Sequence, residues 1–76
     1  MLELFGSASC PYTAQLRDDL EWRREPFVEH DVDADPGALE RMLHLTGGDR
    51  TIPVLSDGER VVQIGYEGRG CYANGT

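Results

Sequence analysis

A cysteine followed by a proline opens the first predicted helix, in the segment Cys10-Pro11-Tyr12-Thr13. Pro11 suits the first helical position, because the N–H that proline lacks would have no partner within the helix there. The free N–H groups and the dipole at a helix start favour negative charge, and therefore thiolate over thiol. Since thiolate is the nucleophilic form, the segment predicts an exposed, reactive sulfur at Cys10 rather than a buried, inert cysteine.

The elements that position this cysteine follow from the apolar pattern. A run over residues 2–5 predicts a buried strand. Tyr12, Leu16 and Leu20 then fall on one face of a helix that Pro26 ends. We expect Trp22 to pack at the corner between this helix and the next strand.

The second half of the chain predicts another strand and helix, then a hairpin. The second strand covers residues 27–32, and we expect its His30 to be a partnered core side chain. A helix capped by Asp35 ends at Gly47, which suits a left-handed C-terminal position. Residues 52–56, a turn at Asp57-Gly58 and residues 61–64 predict the hairpin. The order is therefore β-α-β-α-β-β, with the first two strands parallel.

Two motifs within this pattern resemble the glutaredoxin family. Cys10-Pro11-Tyr12-Thr13 is similar to its C-P-Y-C motif with Thr at the last position, and Arg50-Thr51-Ile52-Pro53 is similar to its R-T-V-P segment. The resemblance runs from Leu2 to Gly65. The C-P-Y-T motif, the Gly-Gly before the second segment and the Gly-rich tail further resemble the UXX-star group, in which selenocysteine or cysteine takes the first motif position.

The resemblance implies an α/β thioredoxin fold. We expect β-α-β-α-β-β order, a four-stranded mixed sheet and at most a short C-terminal helix. We also expect one domain over residues 1–76, with residues 68–76 as a Gly-rich tail.

The resemblance also implies the site. Cys10 is the attacking thiol, and Thr13 would donate a hydrogen bond to its thiolate, or bond a backbone N–H instead. Arg50 would hold a glutathione carboxylate, although most such arginines are solvated loop charges. The residues expected to bind substrate are Pro11, Tyr12, Arg50, Thr51, Ile52, Pro53 and Gly65. Among them Tyr12 also fits the core, Pro53 is expected to be cis, and the Ile52 backbone would pair with the cysteine of glutathione.

These residues predict a thiol–disulfide oxidoreductase that acts on disulfides or glutathione mixed disulfides. Glutathione or another small thiol would be the co-substrate, with no permanently bound cofactor and no metal site. Two alternatives stay open: a module that holds an iron–sulfur cluster through Cys10 and glutathione, and a redox-inactive interaction domain.

Cys71 is the second cysteine of the chain, in Gly68-Arg69-Gly70-Cys71. With Thr13 in the motif, Cys10 cannot form the usual C-X-X-C disulfide. Cys71 therefore either resolves the Cys10 mixed disulfide, since the preceding glycines allow the segment to bend, or is a tail cysteine without a redox role.

Composition narrows the classes of partner. The chain has 76 residues and a net charge of −7, which disfavours binding to phosphate backbones and anionic lipid surfaces. No apolar stretch is long enough to span a membrane. We expect a cytoplasmic monomer whose partners are a small thiol and disulfide-containing proteins.

Overall fold

A four-stranded mixed sheet is the central layer of the structure, a computed structural model that describes residues 1–73. The strands in spatial order are β2 (Phe27–Asp31), β1 (Leu2–Gly6), β4 (Val54–Asp57) and β5 (Arg60–Ile64). β1 runs parallel to β2 and antiparallel to β4, and β5 is antiparallel to β4. This is the predicted mixed sheet. Residues 74–76 of the predicted Gly-rich tail lie outside the described residues.

Two helices, α1 (Pro11–Trp22) and α2 (Pro36–Thr46), cover opposite faces of the sheet. Successive strand residues point to opposite faces, so Leu4 and Phe5 of β1 belong to different core clusters. Leu4 packs in the cluster that contains Leu16 and Leu20 of α1. Phe5 packs in the cluster that contains Met42 of α2. Each fully buried leucine contributes roughly 1.5–3 kcal/mol of burial free energy, which holds α1 against the sheet.

The ends of α2 agree with the sequence prediction. The Asp35 side chain accepts hydrogen bonds from the N–H groups of Gly37 and Ala38, as an N-cap does. Gly47 follows the helix with φ +73°, in the left-handed region. Together with the run of buried side chains, these two residues fix where α2 begins and ends.

The strand predicted over residues 52–56 is divided in two. The Ile52–Pro53 peptide bond is cis. It separates β3 (Thr51–Ile52) from β4, and β3 pairs instead with β6 (Cys71–Tyr72) in a separate two-stranded sheet. Within the described residues no third helix follows β5, because glycines with positive φ at positions 65 and 68 turn the chain back toward β3. Between the hairpin and residue 73 the chain therefore forms a short strand, β6, and no helix, which agrees with the prediction of at most a short helix there.

Two aromatic predictions were wrong. Trp22 is 86 % exposed rather than packed at a corner, because it lies at the last residue of α1 outside the buried stripe. His30 is half-buried rather than in the core. Its side chain does have partners, as predicted. Nε2 lies 3.1 Å from Glu3 Oε1, and the ring stacks on that of Phe5 with the two ring centroids 4.8 Å apart.

Glu3 links the sheet to α2. Arg41 Nη2 donates to Glu3 Oε2 at 2.6 Å, on the other carboxylate oxygen from His30. The hydrogen bond from Arg41 is the largest of the contributions that hold the pKa of Glu3 below its ordinary value, and the bond to His30 acts in the same direction.

No helix within residues 1–73 has the length and apolar character needed to cross a membrane.

Candidate functional site

Cys10 is the N-cap residue of α1, with Pro11 at the first helical position as predicted. Its N–H donates to the carbonyl of Ser7 at 3.2 Å, which fixes the short loop after β1. The Ser7 hydroxyl in turn donates to Asp33 Oδ2 at 2.7 Å. The loop is thus tied to the segment after β2, and the sulfur is held at the positive end of the helix, where thiolate is favoured.

The prediction that Cys10 is exposed was wrong for this state of the protein. Cys10 is 2 % exposed and belongs to a buried cluster with Ile52 and Ala73. The sulfur is covered because Cys10 and Cys71 form a disulfide across 61 positions, with Cα atoms 6.1 Å apart. That separation lies within the usual range for a disulfide.

A strand pair holds Cys71 in place next to Cys10. β6 is antiparallel to β3, with Ile52 opposite Cys71 and Thr51 opposite Tyr72. One residue further, the Ala73 N–H donates to the Arg50 carbonyl at 2.8 Å, and Arg50 Nη1 donates to the Ala73 carbonyl at 3.4 Å. The strand next to the cis proline therefore pairs with the strand that contains Cys71, the second cysteine of the chain.

Comparison with known protein families identifies the family of this chain. A family model described as Glutaredoxin matches residues 2–62, which include the Cys10 segment and the cis proline. This chain belongs to the glutaredoxin family. The match ends before Cys71, so the partner of Cys10 lies outside the matched range. No curated protein matches the chain.

Membership of the glutaredoxin family assigns a thioredoxin-like fold and the thiol–disulfide oxidoreductase type of function. The structure adds where the other predicted site residues of this glutaredoxin lie. Pro11 is exposed, Tyr12 and Thr51 are half-buried, and Ile52 and Pro53 are buried. Tyr12 packs against the core, as predicted, but against the cluster that contains Cys10 and not the cluster of Leu16 and Leu20 with which the sequence pattern grouped it.

Thr13 lies in the first turn of α1 and is fully buried. Its hydroxyl oxygen accepts a hydrogen bond from the Ser7 N–H at 3.4 Å, so it bonds a backbone group of the loop before the helix. A hydroxyl that accepts one hydrogen bond can still donate its own proton. The predicted hydrogen bond to the Cys10 thiolate stays a prediction for the reduced glutaredoxin.

Gly65 supports the backbone of the cis proline. Its N–H donates to the Pro53 carbonyl at 2.7 Å, and it has φ +80°. A Cβ atom at this position would lie 2.8 Å from the Arg69 carbonyl oxygen. Gly65 thus joins β4 to the turn that carries the chain toward Cys71, and its predicted contact with a ligand stays a prediction.

A cleft of about 340 Å³ lies beside α2 of this glutaredoxin. Its walls combine aliphatic with charged side chains: Val32, Asp33, Pro36, Leu39, Glu40, Leu43 and Arg50. Arg50 is the predicted site residue that reaches it. The Thr51 N–H donates to Asp49 Oδ1 at 2.9 Å, which orders this loop and lowers the pKa of Asp49.

Asp33 is a cleft residue that the sequence interpretation missed. The alternating acidic residues Asp31, Asp33 and Asp35, at the end of the second predicted strand, are the signal that could have indicated it. Asp35 is the N-cap of α2, as predicted, and Asp31 Oδ1 accepts a hydrogen bond from the Asp33 N–H at 3.0 Å. Within residues 1–73, no three His, Cys, Asp or Glu side chains come together as a group that could hold a metal ion.

Proposed function

We propose that this glutaredoxin reduces disulfides with Cys10 as the nucleophile and Cys71 as the resolving thiol. The observation that carries the proposal is the Cys10–Cys71 disulfide itself. Thr13 stands where the C-P-Y-C motif has its second cysteine, and Cys71 of β6 supplies the second thiol instead.

The first step is attack of the Cys10 thiolate on a substrate disulfide. A bond forms between Cys10 Sγ and one substrate sulfur, and the other substrate sulfur leaves as a thiolate that takes a proton. The helix start and the Thr13 hydroxyl stabilise the attacking thiolate. Arg50 and the backbone at Ile52 position the substrate next to Cys10.

In the second step the Cys71 thiolate attacks Cys10 Sγ. The Cys10–Cys71 bond forms, and the remaining substrate sulfur leaves as a second thiolate. Two electrons have then passed from the two cysteines to the substrate. Two molecules of glutathione or another small thiol return the pair to the reduced form and are themselves oxidised to a disulfide.

The proposed setting follows from the need for that reductant. A reducing compartment such as the cytoplasm supplies a small thiol in excess, and disulfide-containing proteins would be the substrates. The assignment to the UXX-star group and the monomeric state stay predictions.

The test is to follow the fate of each cysteine. The reduced protein is exposed to glutathione disulfide, quenched with acid, and mapped by peptide mass. We expect the unmodified chain to pass through a Cys10 glutathione adduct to the Cys10–Cys71 pair. Cys71→Ser should stop at the adduct, and Cys10→Ser should not enter the reaction.

Two outcomes would contradict the proposal. If Cys71 keeps a free thiol while Cys10 is fully glutathionylated in the unmodified chain, Cys71 is not the resolving thiol. If Cys10 forms no adduct in either chain, Cys10 is not the nucleophile. Circular dichroism of the reduced variants controls for loss of the fold.

A further inference from the structure

Gly70 immediately precedes Cys71 and lies against the backbone of β3. A Cβ atom at Gly70 would be 2.6 Å from the Ile52 carbonyl oxygen and 2.9 Å from Thr51 Cγ2. Gly70 is not one of the glycines with positive φ. The space beside β3, rather than the backbone conformation, is therefore what requires a glycine here.

The contact sets a chemical condition on any segment that brings a cysteine to Cys10 along β3. The Ile52 carbonyl is backbone and cannot rotate away as a flexible side chain would. The group before the cysteine must therefore carry an unbranched carbon next to its carbonyl. Glycine is the amino acid that meets this condition.

β6 is itself a segment that meets the condition. It places a cysteine opposite Ile52, adds backbone pairing to an otherwise open strand edge, and begins with the residue that forms the disulfide to Cys10. Addition of an extended segment to a strand edge is a common way in which proteins bind peptides. The edge of β3 can hold one such segment at a time, because each backbone group pairs once.

We propose that the edge of β3 selects cysteine-bearing segments with glycine before the cysteine, and that β6 competes with them for this edge. This inference rests on the proposed function. When Cys71 attacks the mixed disulfide at Cys10, the Ile52 pairing passes from the substrate to Cys71. Formation of the Cys10–Cys71 bond thus accompanies displacement of the reduced product from β3.

Peptide mixed disulfides test the selection directly. Three capped peptides, Gly-Cys-Tyr-Ala, Ala-Cys-Tyr-Ala and Val-Cys-Tyr-Ala, are each joined to thionitrobenzoate, whose release is followed by absorbance. Reaction with reduced Cys71→Ser isolates the first attack by Cys10. Rates are divided by those with dithiothreitol, which removes differences in intrinsic reactivity. We expect the glycyl peptide to react about tenfold faster than the valyl peptide, with the alanyl peptide between them.

The outcomes separate this inference from the proposed function. Equal corrected rates for the three peptides would overturn the selection while leaving Cys10 as the nucleophile. If Cys10 reacts with none of them and with no glutathione disulfide, the proposed function fails as well.

A second measurement tests the competition by β6. Gly70→Ala should lower the equilibrium ratio of disulfide to dithiol at Cys10 and Cys71, in a dithiothreitol buffer, by about tenfold. Gly37→Ala in α2 is the matched control. A Cβ at Gly37 would meet a side-chain oxygen, Asp35 Oδ1, at 3.3 Å, and not the backbone of β3. An unchanged ratio in Gly70→Ala would overturn the role of the glycine.

Discussion

Cys10 and Thr13 are neighbours at the start of α1, and the reactivity of the sulfur depends on what the hydroxyl does after reduction. Thr13→Val removes the hydroxyl at nearly constant shape, and Thr13→Ser retains it. We expect Thr13→Val to slow alkylation of Cys10 by iodoacetamide at neutral pH several-fold, and Thr13→Ser to change it little. The measurement uses reduced Cys71→Ser as the background. Equal rates in the two variants would limit Thr13 to its bond with the Ser7 N–H.

Glu3 gives the residue scale a prediction on pH. The Arg41 hydrogen bond lowers the pKa of Glu3 in the folded protein below its ordinary value of 4.5. Its contribution to stability is therefore fully present when the pH lies above that ordinary value, and it is lost as pH falls through the lower folded pKa. We expect urea midpoints to fall more steeply with acid in the unmodified protein than in Glu3→Gln. Parallel declines would contradict this.

Single residues were predictable where their chemistry acts through their immediate neighbours in sequence. Cys10 at the helix start, the cap at Asp35 and the cis bond before Pro53 all follow from local sequence or from the family motif. The burial of Cys10 and the place of Asp33 at the cleft did not. Both depend on segments that are distant in sequence, β6 and the Ser7 loop.

At the scale of elements, the turn between β5 and β6 leads the chain from the hairpin to Cys71. Gly65→Ala places a Cβ 2.8 Å from the Arg69 carbonyl oxygen and strains a positive φ. Gly58→Ala is the matched control, since it has φ +63° and a Cβ there would meet no atom of residues 1–73 within 4 Å. We expect Gly58→Ala to cost about 1 kcal/mol of unfolding free energy, and Gly65→Ala about 2–4 kcal/mol.

Formation of the Cys10–Cys71 disulfide gives a second measurement that distinguishes Gly65→Ala from Gly58→Ala. Gly65→Ala should also lower the fraction of chains that form the Cys10–Cys71 disulfide in a dithiothreitol buffer, whereas Gly58→Ala should not. Equal losses of stability and unchanged disulfide formation in both variants would show that Gly65 acts through its φ alone.

Sequence periodicity predicted the long elements and missed the short ones. α1, α2 and the four sheet strands carry enough apolar residues to show their period. β3 and β6 have two residues each, too few for any period. Their pairing is a long-range contact between a loop beside the cis proline and a glycine-rich segment.

At the scale of the whole molecule, charge affects the encounter with substrate. The net charge of −7 repels anionic glutathione disulfide, and salt screens that repulsion over about 10 Å at 0.1 M. We expect added salt to leave unchanged or raise the rate of Cys10 with glutathione disulfide, and to lower it with cationic cystamine. A steep fall with glutathione disulfide would show that the local field of Arg50 dominates.

The overall α/β order and the mixed sheet were predictable because each element buries one apolar face against the next. What covers the site was not, because it depends on where the last described residues run.

The bond between residues 10 and 71 also ties nearly the whole described chain into one covalent ring. A ring of this length removes much of the conformational freedom of the unfolded chain, worth about 4 kcal/mol in the loop-entropy description. Small domains have only about 5–15 kcal/mol of folding stability in total. Each cycle of the proposed reaction would thus take the protein from a less stable reduced form to a more stable oxidised form and back. Urea unfolding should show a clearly higher midpoint for the oxidised protein than for the reduced one, and coincident curves would contradict this.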